Sequence, residues 1–128
     1  MKYILVVIMA CFTLSSLKAQ DCAKVKDGKF TTTDEHSGTT LITRKGSKQI
    51  EENKELGFKA EFKIEWLSDC VYTIQMTKVI RKGKISFPID MEMIMTVKIE
   101  SVETDHYTVK VKSNKFDEVL ETRVMIVQ

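Results

Sequence analysis

The sequence predicts an all-β protein of about eight antiparallel strands in a meander. The strands either close into a small up-and-down barrel or pack as a two-sheet sandwich. Three observations carry this expectation. Phe58, Ala60, Phe62, Ile64 and Trp66 alternate with Lys59, Glu61, Lys63 and Glu65, the period-2 pattern of a strand buried on one face. The alternation restarts after Leu67-Ser68-Asp69 as Cys70, Tyr72, Ile74 and Met76, so the two runs read as one long hairpin. Short alternating segments separated by Gly, Asn, Asp and Ser turn signals recur along the rest, and no convincing helix interrupts them. Closure into a barrel is the preferred arrangement because it removes the exposed edges that an all-β chain must otherwise protect.

Met1–Ala19 reads as a signal peptide rather than as part of the fold. Lys2 gives a minimal positive start, Tyr3–Phe12 an apolar run of h-region length, and Ala19 a small residue at the cleavage point. The run is shorter than the ~20 apolar residues needed to span a bilayer, so no stable membrane insertion is expected once the leader is removed. Lipoprotein processing fits less well. The apolar run before Cys11 is very short, and Asp21 stands directly before Cys22. Residues 20–128 then form a single domain, secreted or periplasmic.

Leader removal changes the charge and the cysteine count. The chain carries 20 basic and 18 acidic residues, and Lys2 and Lys18 leave with the leader. What remains is close to neutral with the signs interspersed, which lacks the electrostatic footprint of a nucleic-acid partner. Of the 3 cysteines, Cys22 and Cys70 remain. In an exported domain of this size two cysteines read as one disulfide, which stabilises by ~3–4 kcal/mol through loop closure. Reactive thiols are the alternative, without CxxC spacing or a neighbouring His to support them.

The elements follow in order. Asp27-Gly28 turns into a strand over Lys29–Thr33, rich in β-branched residues. Asp34–Gly38 is a polar loop, and Thr39–Arg44 a strand with Ile42 as its core residue. Lys45-Gly46-Ser47 makes a tight connection to Lys48–Glu52, and Asn53–Gly57 breaks the chain before the central hairpin. Val79–Asp90 contains Gly83 and the only proline, Pro88, and reads as a loop or bulged extension. Met91–Glu100 reads as a strand with Met91, Met93, Met95, Val97 and Ile99 on one face. Tyr107–Lys112 and Glu118–Val127 complete the set.

Few residues point to chemistry. Thioether ligands select Cu(I), so Met91-x-Met93-x-Met95 could hold that ion; core packing by an adaptable side chain is the preferred reading. His36 and His106 stand in no zinc-like spacing and read as surface residues, so no metal or other cofactor is expected. No nucleophile elbow, phosphate-cradling loop or carboxylate pair in apolar surroundings is present, which argues against an enzyme. Arg81-Lys82-Gly83-Lys84 is a small basic cluster expected to be solvated. Phe58, Phe62, Trp66, Tyr72, Met76, Met93 and Met95 are placed inside the barrel. There they either fill a core, as strands this short favour, or line a small ligand site.

Cys22, Gly28-Lys29-Phe30, Ile42-Thr43-Arg44, Gln49-Ile50-Glu51 and Trp66-Leu67-Ser68-Asp69-Cys70-Val71-Tyr72 resemble a group of small exported bacterial proteins of unknown function. Some of these carry a "DNA topoisomerase IV" label. Such an enzyme needs a large DNA gate, an ATPase module and access to cytoplasmic DNA, which a short, exported, near-neutral chain does not offer. A looser likeness is to lipocalin-type barrels. Gly28-x-Phe30 opens the first strand somewhat as their G-x-W motif does, and the resemblance implies that Arg123 on the last strand packs near that aromatic. The function expected is non-catalytic: an exported barrel binding a small apolar ligand or an envelope protein. A structural or interaction module with a filled core is the alternative, and Cu(I) binding a third reading.

Overall fold

A computed structural model describes residues 18–128. The expected leader, with Cys11, lies outside the described residues except for its last two positions. Eight antiparallel strands run in chain order around a closed barrel, so the barrel, not the sandwich, is the architecture. They are β1 (Gly28–Asp34), β2 (Gly38–Lys45), β3 (Lys48–Asn53), β4 (Phe58–Ser68), β5 (Val71–Arg81), β6 (Ile94–Val102), β7 (His106–Ser113) and β8 (Val119–Ile126).

Every neighbour in the ring is a sequence neighbour except β8 and β1, which close it. That seam is narrow: only Phe30↔Ile126 and Thr31↔Met125 are paired across it. β1–β2, by contrast, pair along the whole of β1, from Gly28↔Arg44 to Asp34↔Gly38. Inward positions of every strand but β3 build one core, with Phe30, Ile42, Ala60, Phe62, Ile64, Tyr72, Ile74, Val97, Ile99, Tyr107, Val109 and Val124 buried in it. On the outer faces charges pair across strands, as Lys48 with Glu61 and Lys110 with Glu100 and Glu121. That is how a solvated sheet face is normally dressed.

The structure corrects three expectations. A short helix, α1 (Ala19–Ala23), precedes the barrel. The hairpin turn falls at Asp69-Cys70 instead of Leu67–Asp69, because β4 and β5 run on to Ser68↔Val71; both strands are 11 residues long. Finally, β6 starts at Ile94, not Met91. Asp90 accounts for the late start: its carboxylate accepts the Glu92 amide at 2.9 Å and its carbonyl the Met93 amide at 3.4 Å. A side-chain turn of this kind competes with extended backbone. Met91 and Met93 therefore precede the strand and do not share a strand face with Met95.

The two ends of the barrel differ. At one end the segment Cys22–Val25 lies across the opening, with Cys22 and Val25 fully buried. Cys22 is disulfide-bonded to Cys70, their Cα atoms 5.3 Å apart. At the other end emerge the loops after β1, β3, β5 and β7. The longest, residues 82–93, folds back over the rim: the Lys84 amide donates to Leu56 O at 2.7 Å and Ile85 is buried. Gly83 permits this approach. It has φ +60°, and a Cβ there would collide with the Leu56 carbonyl.

Candidate functional site

The interior site is set by parity along β2 and by the turn after it. With Ile42 inward, period-2 alternation also turns Arg44 inward. Gly46, at φ +61°, makes the tight connection, which registers Gln49 opposite Arg44 and Glu51 opposite Ile42. β3 thus turns Gln49, Glu51 and Asn53 toward the interior and leaves Ile50 outside. It is the one strand whose inward row is polar.

Arg44 is buried at the sealed end and nearly saturated with acceptors. Its Nε donates to Gln49 Oε1 at 2.9 Å and Nη1 to Val25 O at 2.7 Å. Nη2 donates to the phenol oxygens of Tyr72 and Tyr107, each at 3.2 Å. The guanidinium also lies 4.8 Å from the Phe30 ring centre and 5.0 Å from that of Tyr72, where the ring quadrupoles favour a cation. Burial and the neighbouring Tyr107 raise the Tyr72 phenol well above its ordinary range, against the pull of Arg44. It stays protonated as an acceptor for the arginine.

At the open end Asn53 ties two loops together. Its Nδ2 donates to Ser37 O at 2.7 Å and its Oδ1 accepts the Leu56 amide at 3.0 Å. Between these fixed ends lie two spaces that open to solvent. An outer chamber of about 270 Å³ opens at the rim and is lined by Phe58, Phe62, Met76, Ile85, Phe87 and Met95, among others. An inner chamber of about 130 Å³ reaches down to Arg44, Tyr72 and Tyr107. Glu51 and Met95 line both. Small side chains, including Thr32, Val97, Val109 and Thr122, line the inner space.

Of the residues placed inside from sequence, Phe58, Phe62, Met76 and Met95 line the outer chamber and Tyr72 the inner. Trp66 and Met93 line neither. Trp66 packs at the sealed end, its ring 4.7 Å from Tyr72 and covered by the Lys26 ammonium at 4.9 Å. Met91 is exposed and Met93 half-buried, both in the segment before β6, so the three-methionine face proposed for Cu(I) is not formed. Arg123 is also corrected. Val124 is the inward residue of β8, so Arg123 points out, lining an outer groove with Glu100, Lys110 and Glu121. Arg44 takes the place against Phe30. Sequence reading quotes Arg44, Gln49 and Glu51 only as part of a family pattern and Asn53 only as the start of a break, and assigns none of the four to the interior.

Glu51 is the unusual group of this interior. Burial pushes its carboxyl from 4.5 up to about 7, outweighing a hydrogen bond from Gln49 and the charge of Arg44, which both favour ionisation. A carboxyl raised in the folded state stabilises the protein at low pH. That contribution is whole below the unfolded value near 4.5 and is lost as pH rises through about 7. Glu51→Gln is therefore expected to be as stable as the parent at pH 4 and more stable at pH 8, by on the order of 2–3 kcal/mol. The Arg44, Tyr72 and Tyr107 side chains that share the chamber with Glu51 are the same in both proteins. Urea denaturation of the pair across this range checks the expectation, and parallel pH profiles would contradict it.

Comparison with protein-family models, with curated proteins and with solved structures finds no match to this chain.

Proposed function

We propose that this protein is an exported, non-catalytic barrel that holds a small, largely apolar molecule in its interior. The observation that carries the reading is the hollow open end: an aromatic- and methionine-lined chamber backed by a second one, above a floor closed by Cys22–Val25. An apolar cavity of ~150 Å³ is enough to bind benzene, and the outer chamber alone measures about 270 Å³. Eight-stranded barrels have the diameter at which one small ligand fits inside. Met and Phe side chains suit ligands of varied shape because they repack at little cost. Export is supported by the disulfide, which persists in oxidising compartments. Among the described residues no helix is long and apolar enough to cross a membrane.

Native mass spectrometry of the protein purified from its own host's envelope tests this. A retained small-molecule mass that disappears in Met76→Trp, which fills part of the outer chamber, is the expected result. The substitution should weaken binding at least tenfold, since the added ring occupies the ligand's volume. A bare mass for the parent protein, together with no binding of n-alkanols in solution, would remove the reading.

A further inference from the structure

We infer that the molecule held in the barrel carries a cationic amine at one end, which pairs with Glu51 while its apolar remainder fills the outer chamber. This rests on the pocket reading above and specifies its ligand. Arg44 already gives hydrogen bonds to Gln49, Val25, Tyr72 and Tyr107. An anionic head group would therefore find four of the five guanidinium donors already engaged. Asn53 is spent on the Ser37 and Leu56 backbones, and the Gln49 carbonyl on Arg44.

Glu51 differs. A carboxylate has about four lone-pair sites, and Gln49 serves one side of it. It is also the one acidic residue lining either chamber, and it lines both, so a head group entering from the rim meets it at their junction. A half-buried carboxylate facing a largely apolar space is costly, and a donor carrying positive charge offsets the most. Burial outweighs the help of Gln49 and Arg44 in the free protein, so the compensation is incomplete until a ligand supplies it. Phe58, Phe62, Met76 and Phe87 on the rim side offer the remainder of the molecule an apolar bed.

Three probes of equal length separate the possibilities: n-hexylamine, 1-hexanol and hexanoate, titrated at pH 7.5 and followed by the backbone amides of Phe62, Met76 and Met95. The amine is expected to bind at least tenfold more tightly than the alcohol, with hexanoate weakest. In Glu51→Gln the amine should lose its advantage over the alcohol while the alcohol still perturbs the Phe62 and Met76 amides; an advantage that survives in Glu51→Gln overturns the pairing with Glu51. An amine no tighter than the alcohol in the parent protein, or hexanoate as the tightest probe, overturns the inference and leaves the pocket reading standing. If none of the three perturbs those amides, both fall.

Discussion

Arg44→Ala is expected to lower the unfolding free energy by about 4 kcal/mol or more, the largest effect of any single substitution in the barrel. The side chain is buried, and four acceptors converge on it. Truncation leaves two phenols, a backbone carbonyl and an amide oxygen without their donor. Each buried polar group so orphaned costs roughly 1–3 kcal/mol, and water entering the vacated space recovers only part of this. The void under Phe30 and Tyr72 adds a packing loss. Small domains have only ~5–15 kcal/mol in total, so the variant should sit near the edge of folding. Arg44→Lys is not a rescue, since one ammonium cannot reach acceptors on β3, β5, β7 and the Val25 segment at once. Urea denaturation at neutral pH measures both. A loss under about 1 kcal/mol for Arg44→Ala would mean that the floor is held by something other than this network. The substitution also removes the positive charge that favours ionised Glu51, so the Glu51 carboxyl should titrate higher still in any folded fraction.

That network shows where sequence reading succeeded and where it stopped. Alternation over Phe58–Trp66 and Tyr72–Met76 locates β4 and β5, and turn signals at Gly46 and Gly57 bound β3 beside them, because half-buried strands obey period 2 wherever their inner face is apolar. β3 breaks that condition. Its sequence, KQIEEN, taken by hydrophobicity alone, puts Ile50 inside and Glu51 outside, the reverse of the structure. The information was nevertheless present one strand earlier. Once Ile42 is inward, Arg44 must be, and a two-residue turn at Gly46-Ser47 carries that parity across to Gln49 and Glu51. Register, which propagates from a neighbouring strand, decides which face of β3 is inward; composition, which is local, does not. Arg123 fails for the same reason in reverse: analogy placed it inside, whereas the parity of Val124 places it outside. The Met91–Met95 strand was misread because Asp90 captures the amides of Glu92 and Met93. A side-chain turn can end a strand even where the apolar alternation continues. The chambers themselves could not be read at all. They depend on how Thr32, Val97, Val109 and Thr122, far apart in sequence, leave space at one level of a closed ring.

Removing the disulfide, as Cys22→Ala with Cys70→Ala, is expected to cost about 4 kcal/mol, again a large share of the total. The bond spans a sequence separation of 48, and a closed loop of that length restricts the unfolded chain by roughly this amount on the chain-entropy account. The native state gives a second reason. The segment from α1 to Val25 belongs to no strand; it is held by the Cys22–Cys70 bond, the burial of Val25 and the Arg44-to-Val25 hydrogen bond. Freed of the bond, a helix of 5 residues is far too short to persist alone. The floor should then open while the barrel above it remains. The two contributions separate experimentally. Entropy regained by the unfolded chain lowers the protection of the slowest-exchanging amides by the same global amount, whereas a detached floor also lets the Val25 and Cys22 amides exchange by local opening and lets water reach Arg44. Hydrogen exchange on the folded double variant should therefore show fast exchange at residues 22–25 and, in the slowest amides of β4, β5 and β7, a drop in protection that matches the loss measured by urea denaturation. Equal protection at the floor together with a loss below about 1 kcal/mol would show that packing alone seals the barrel. The expected result makes the cross-link a condition of the ligand site, because the chamber that ends on Arg44 is closed from below only while Cys22 is held to Cys70.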